Sequence, residues 1–225
     1  MTDAQWQAST SPEEMLHFLT STASGRKLRL YAIGCCRRIW HLLTDDRCRY
    51  AVEVAQRVVD GRDGPAELAA AGLTVASVAR LTQHPYTGLT YPRYSIGGAA
   101  WAVTRPSPWD AAWDAALEAR VAARDFVRGT DWERERAWQA DLLHDLFGNP
   151  FAAFTVDPAW LATAEGAVGK LARVIYAEDR FGDLPYLADA LEEAGCDRTD
   201  VLAHCRDRRP HYRGCWVVDA VLGFH

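Results

Sequence analysis

At 225 residues the chain is long enough to bury its own core without help from a metal or a disulfide, and it fits one domain or a domain with an appended subdomain. Apolar residues make up 49% and charged residues 24%, an ordinary soluble composition, and no apolar run approaches the ~18 residues of a membrane span. The first residues lack the charged, apolar and small-residue sequence of a secretory signal, so the expected compartment is the cytoplasm, where six cysteines stay reduced.

Ser11, Pro12, Glu13 and Glu14 read as a helix start, with Glu14 placed for a capping box, and the helix runs to about Ser21. The next helix spans about 24–44. Leu28, Ala32, Cys35, Ile39 and Leu42 repeat at spacings of four and three, one helical face, and Cys36, Trp40 and Leu43 widen it until the helix is buried on more than one side. A third helix covers 46–60, with Cys48, Val52, Ala55 and Val59 inside. Gly64 and Pro65 open a fourth, read as interrupted near Gly72.

Residues 84–109 break the periodicity with repeated Pro, Gly and Tyr, apart from a short helix over about 95–104. So long an irregular segment inside a compact domain is often functional, and Tyr86, Tyr91 and Tyr94 with Trp101 are the candidate lining of an aromatic groove. Long helices follow over 107–128 and 130–147. Thr130 and Glu133 form a second capping box, and Gly148, Asn149 and Pro150 end the second helix. Asp157 with Pro158 starts a helix to about Glu178. Asp183 caps one over 184–194, and short helices close the chain at 199–206 and 214–222. The fold class is therefore all-α: a multi-helix bundle of eight to ten helices in a single domain, 1–225, with 183–225 as a C-terminal subdomain of short helices.

Nine tryptophans run the whole length and read mainly as core or helix-contact residues. Charge is uneven. Residues 25–49 hold Arg26, Lys27, Arg29, Arg37, Arg38, Arg47 and Arg49 against Asp45 and Asp46, a basic face suited to an acidic partner, with Arg37 and Arg38 as candidate contacts. No nucleic-acid motif accompanies it, so nucleic acid is not an expected partner.

Four stretches resemble a family of uncharacterised bacterial proteins. They are RKLRLYAIGCCRRIWHLL from Arg26, DLLHDLFGNPF from Asp141, LPYLADALEEAGC from Leu184 and LAHCRDRRPHYRGCWVVDAVLG from Leu202. The resemblance implies a self-contained bacterial cytoplasmic domain and carries no established activity or catalytic residue.

Reactive side chains concentrate at the C-terminal end, where Cys196, His204, Cys205, His211 and Cys215 fall within twenty residues. Zinc takes four Cys or His ligands in a tetrahedron, and His211-x3-Cys215 has a ligand spacing. His204 and Cys205 point about 100° apart on a helix, so one of them joins a site. The candidate zinc ligands are Cys196, His204, His211 and Cys215; the remaining spacings match no standard finger, and buried thiols with satisfied histidines are the competing account. Separately, His144-Asp145 resembles the central dyad of the HD-type metal phosphohydrolases, with His84 or His41 upstream and Asp183 or Asp189 downstream to complete it. Cys35-Cys36 with His41 offers a thiol and a base, yet Cys35 fits the apolar stripe. No phosphate loop or nucleophile elbow is present.

The expectation from sequence is thus a non-catalytic helical interaction or scaffold protein of the bacterial cytoplasm, with a protein partner and no membrane. An HD-type phosphohydrolase using His144 and Asp145 is the alternative. A zinc-stabilised module on the C-terminal cluster is the third reading, with zinc the one candidate cofactor.

Overall fold

A computed structural model describes residues 1–81, 92–152 and 154–224. Among them there is no strand. Thirteen α-helices follow in order: α1 (Asp3–Ala8), α2 (Pro12–Leu19), α3 (Gly25–Arg38), α4 (Asp46–Val59), α5 (Pro65–Leu81), α6 (Pro92–Ala102), α7 (Pro108–Phe126), α8 (Trp132–Phe147), α9 (Pro158–Ala162), α10 (Ala167–Ala177), α11 (Leu184–Glu193), α12 (Thr199–Cys205) and α13 (Trp216–Leu222). Short 3-10 turns sit at Trp40–Leu42, Thr163–Gly166 and Phe181–Asp183. The all-α class read from the sequence is what the chain adopts. No helix among the described residues is long and apolar enough to cross a membrane. The chain divides into two compact units, Met1–Leu143 and His144–His225.

In the first unit α3 is the central rod. Leu28, Ala32, Cys35 and Ile39 are buried as their spacing predicts, and Leu30, Tyr31, Ile33 and Cys36 are buried as well. A face this wide needs close neighbours, and small residues supply them. Along α7, Ala111, Ala112, Ala115, Ala116, Ala119, Ala122 and Ala123 are all buried, so α7 packs tightly on α3 and α6. Gly34 of α3 makes room for Leu142, whose Cδ2 would lie 2.7 Å from a Cβ there. Gly72 does the same for Thr104, whose Oγ1 would lie 2.8 Å from an added Cβ. This explains why α5 runs unbroken through a glycine that reads as an interruption: the residue is there for close approach.

Polar groups inside this unit are tied to backbone and to one another. Arg29 is buried, and its guanidinium donates to the carbonyls of Val103 (2.6 Å), Arg105 (3.0 Å) and Pro106 (3.2 Å), closing the end of α6. Glu13 of α2 pairs with Arg120 of α7 and with Arg136 of α8 at 3.1 Å. Of the nine tryptophans only Trp6 is fully buried. Several of the others serve as platforms for guanidinium groups. Arg37 and Arg49 lie over Trp40, Arg38 over Trp138, Arg105 over Trp101, and Arg120 and Arg124 over Trp132.

Helix starts differ in detail from the sequence reading. Ser11 makes no side-chain cap; its hydroxyl accepts from Arg136 instead. The capping box belongs to Thr2 and Gln5 of α1, a helix that the sequence reading passes over. Asp131, not Thr130, caps α8 by accepting from the Arg134 N–H at 2.8 Å.

The second unit holds the last turn of α8 and the helices α9 to α13. Its core is Val168, Ala172 and Ile175 of α10, Leu184, Leu187, Ala188 and Leu191 of α11, Val201 and Leu202 of α12, and Val217, Val218 and Val221 of α13. The single helix expected over 158–178 is two, α9 and α10. Ala164 and Glu165 between them have φ of 49° and 54°, left-handed backbone that no helix can pass through.

Candidate metal centre

Four side chains of the second unit converge. Asp145, His204, His211 and Cys215 each present one donor atom, and these atoms lie within 4.8 Å of one another. Each comes from a different local structure. Asp145 stands in the last turn of α8, His204 in the last turn of α12, His211 in the connection that follows, and Cys215 at the N-cap of α13. The connection is short enough to bring its two ligands to the same place as His204, while Asp145 arrives from 66 residues before His211.

The contacts are specific. His204 Nε2 lies 3.2 Å from Cys215 Sγ and 3.3 Å from Asp145 Oδ1. His211 Nδ1 lies 2.6 Å from the same Asp145 oxygen. Asp145 Oδ2 accepts the backbone N–H of Tyr212 at 2.8 Å, which fixes the carboxylate plane. The other nitrogen of His211, Nε2, is buried without a hydrogen-bond partner, so all polar traffic of that ring runs through Nδ1 into the cluster.

Burial and the helix terminus set the electrostatics of the cluster. An aspartate in the last turn of a helix faces the negative end of the helix dipole, an unfavourable place for a carboxylate. Asp145 is buried as well, which pushes its pKa up. Hydrogen bonds and charge from His204 and His211 outweigh that and hold it below the usual aspartate range. Burial pushes the Cys215 thiol well above its ordinary value and Asp145 and Cys205 push the same way, while the N–H groups of Val217 and Val218 oppose them. A carboxylate and a potential thiolate, both nearly out of water, face one another across two imidazoles.

This arrangement is not that of a nucleophilic triad. A relay places the acid and the nucleophile at opposite nitrogens of one imidazole. Here Asp145 and Cys215 both approach the same nitrogen, Nε2 of His204. A cation at the centre satisfies all four donors together. Zinc–ligand distances of about 2.0–2.3 Å imply tetrahedral edges of roughly 3.3–3.6 Å between donors. Two of the observed separations, 3.2 and 3.3 Å, are close to that range; the third, 2.6 Å, is hydrogen-bond short. The residues present therefore fit a zinc-sized ion. One thiolate, two imidazoles and a carboxylate suit zinc better than magnesium or calcium, which prefer oxygen-rich shells. The carboxylate also replaces the weak axial ligand that a blue-copper site needs.

Of the predicted zinc ligands, His204, His211 and Cys215 come together. Cys196 does not: it is a buried thiol of the apolar core, and Asp145 stands in the fourth place. Cys205 is a core thiol as well, pushed up by burial to about 12. All six cysteines are unbridged and buried. The His144-Asp145 dyad is split, since Asp145 joins the C-terminal donors and His144 is not among them. Two signals that stood apart in the sequence meet at one point.

The other candidate residues lie elsewhere. Tyr86 and Tyr91 fall outside the described residues, as does the side chain of Tyr94 on α6. Trp101 is 39% exposed beneath Arg105. The Arg38 guanidinium bonds the buried Glu135 at 3.2 Å, so it serves the first unit's interior. Arg37 stacks on Trp40. Cys35 and Cys36 are fully buried, and burial raises both thiols, the reverse of what a nucleophile needs.

Nothing among protein families, curated proteins or solved structures matches this chain. The site's own geometry is what revises the functional expectation. A purely non-catalytic interaction or scaffold protein does not account for four donors, able to hold a metal ion, gathered in one cluster, and that expectation is set aside.

Proposed function

We propose that the second unit, His144–His225, is a zinc-stabilised module, with Asp145 Oδ1, His204 Nε2, His211 Nδ1 and Cys215 Sγ as the four ligands. The observation that carries this reading is the approach of a carboxylate and a sulfur to the same imidazole nitrogen, His204 Nε2. A shell of four protein donors leaves no open position for water, which is the arrangement of structural rather than hydrolytic zinc. The role of the ion is to fasten the end of α8, the end of α12 and the start of α13 at one point. The short helices α12 and α13, of seven residues each, cannot hold their geometry alone.

The four donors fall within two of the four stretches that carry the resemblance to the bacterial family, DLLHDLFGNPF and LAHCRDRRPHYRGCWVVDAVLG. A thiolate ligand and unbridged cysteines also favour a reducing compartment, the cytoplasm.

Elemental analysis of protein purified without chelator or affinity metal tests the reading. One zinc per chain is expected, lost on Cys215→Ser and on Asp145→Asn, and retained on His144→Ala. Zinc that survives Cys215→Ser but leaves on both His144→Ala and Asp145→Asn would favour the dyad of a phosphohydrolase and refute this shell.

A further inference from the structure

A metal-bound imidazole is held in place by a hydrogen bond from its second nitrogen to a carboxylate, carbonyl or water, and by the groups packed on its ring. For His204 the packing is visible. Its hydrogen-bond and ion-pair contacts among the described residues, to Cys215 and Asp145, both run through Nε2. Two rings pack on the imidazole. The Trp216 indole lies 5.1 Å from the imidazole at 52°, and the His211 ring stands edge-on at 4.7 Å.

Trp216 is in turn fixed from two sides. Phe154 meets it edge-to-face at 5.1 Å. On another side is Gly148, where an added Cβ would lie 2.9 Å from the indole Cγ and Cδ2. Gly148 comes three residues after Asp145, with a φ of +60°, just past the end of α8. One indole thus follows Cys215 in the chain, packs on His204, and rests on the glycine beyond the helix that carries Asp145. It touches or adjoins the segments of three of the four donors.

We infer that Trp216 is the positioning residue that sets the metal affinity of the Asp145–His204–His211–Cys215 site, with Gly148 kept small to seat it. The inference rests on the metal reading above. The indole does not ligate the ion. It holds the His204 ring so that Nε2 meets the other donors without first losing rotational freedom.

The test uses the full chain, wild type beside Trp216→Leu, Trp216→Phe and Gly148→Ala. Zinc affinity is measured by competition with a chromophoric chelator. The visible spectrum of the cobalt(II)-loaded protein reports the geometry at the ion. Trp216→Leu is expected to weaken zinc by about 10–100-fold, the usual cost of losing an outer-shell support, and to shift the cobalt d–d bands. Trp216→Phe keeps a ring against His204 and should recover most of the affinity. Gly148→Ala drives a methyl into the indole and should shift the bands in the same direction as Trp216→Leu. Backbone strain at Gly148 alone would lower stability without moving those bands. Should Trp216→Leu not fold, the phenylalanine and alanine variants carry the comparison. Wild-type affinity and an unchanged cobalt spectrum in Trp216→Leu or Gly148→Ala would overturn the role of the indole while leaving the site intact. A wild type that takes up neither metal would overturn both readings.

Discussion

Cys215→Ser is the most informative single change, because oxygen and sulfur occupy similar space while their affinity for zinc differs widely. Structural zinc contributes roughly 10–16 kcal/mol across four ligands, so one donor accounts for about 3 kcal/mol, or more than a hundredfold in affinity. With free zinc at a thousand times the wild-type dissociation constant, binding stabilises the folded unit by about 4 kcal/mol. A variant bound a hundred times more weakly keeps little more than about 1 kcal/mol of that. For a unit of about 80 residues, His144–His225, each kcal/mol moves the midpoint by roughly 4–8 °C. The expected loss is therefore roughly 10–25 °C in zinc. Melting the full chain by calorimetry, once in zinc and once in chelator, provides the control. In chelator the two proteins should melt close together, since only a buried S–H has become a buried O–H. An equal separation of the two curves in both buffers would mean that Cys215 acts only as a packed thiol, and the reasoning would fail.

Glu135 is fully buried and its pKa is raised, chiefly by burial, with Arg38 opposing. Its folded-state value exceeds the ordinary 4.5, so the folded chain binds more protons and stability falls as pH rises from that value through the folded one. Glu135→Gln should remove this slope, matching wild type near pH 4 and melting higher at pH 8; a lower midpoint at pH 8 would contradict the assignment. Arg29→Leu strands the carbonyls of Val103, Arg105 and Pro106, and denaturant melts should show a loss of about 3–5 kcal/mol. Gly34→Ala pushes Leu142 out of its seat against α3 and should cost about 1–3 kcal/mol in the same assay, with unchanged zinc content.

Much of the helical framework is readable because burial leaves a period. The α3 stripe from Leu28 to Ile39 is buried as spaced, and Asp157 caps α9 by accepting from Ala159 at 2.8 Å. Where the reading departs, the cause is tertiary or local and has no periodic trace. Gly72 looks like a breaker because nothing nearby in sequence announces Thr104. The kink at Ala164 and Glu165 uses residues that do not favour left-handed backbone, so no glycine or proline marks it until Gly166. The metal centre was half legible. His204, His211 and Cys215 cluster in sequence, but their fourth partner is in a different stretch. Cys196 was the natural choice by proximity and chemistry. Asp145 had been singled out for a different reason, its adjacency to His144. Neither spacing nor composition links the two segments; only the contacts of Asp145 with His204, His211 and Tyr212 in the folded second unit do.

X-ray absorption at the zinc edge of the purified full chain tests the central claim most directly. The account predicts a four-coordinate ion with one sulfur at about 2.3 Å and three nitrogen or oxygen donors at about 2.0–2.2 Å. The sulfur shell should disappear in Cys215→Ser. A shell of light atoms only, or a protein that contains no metal at its edge, would contradict it.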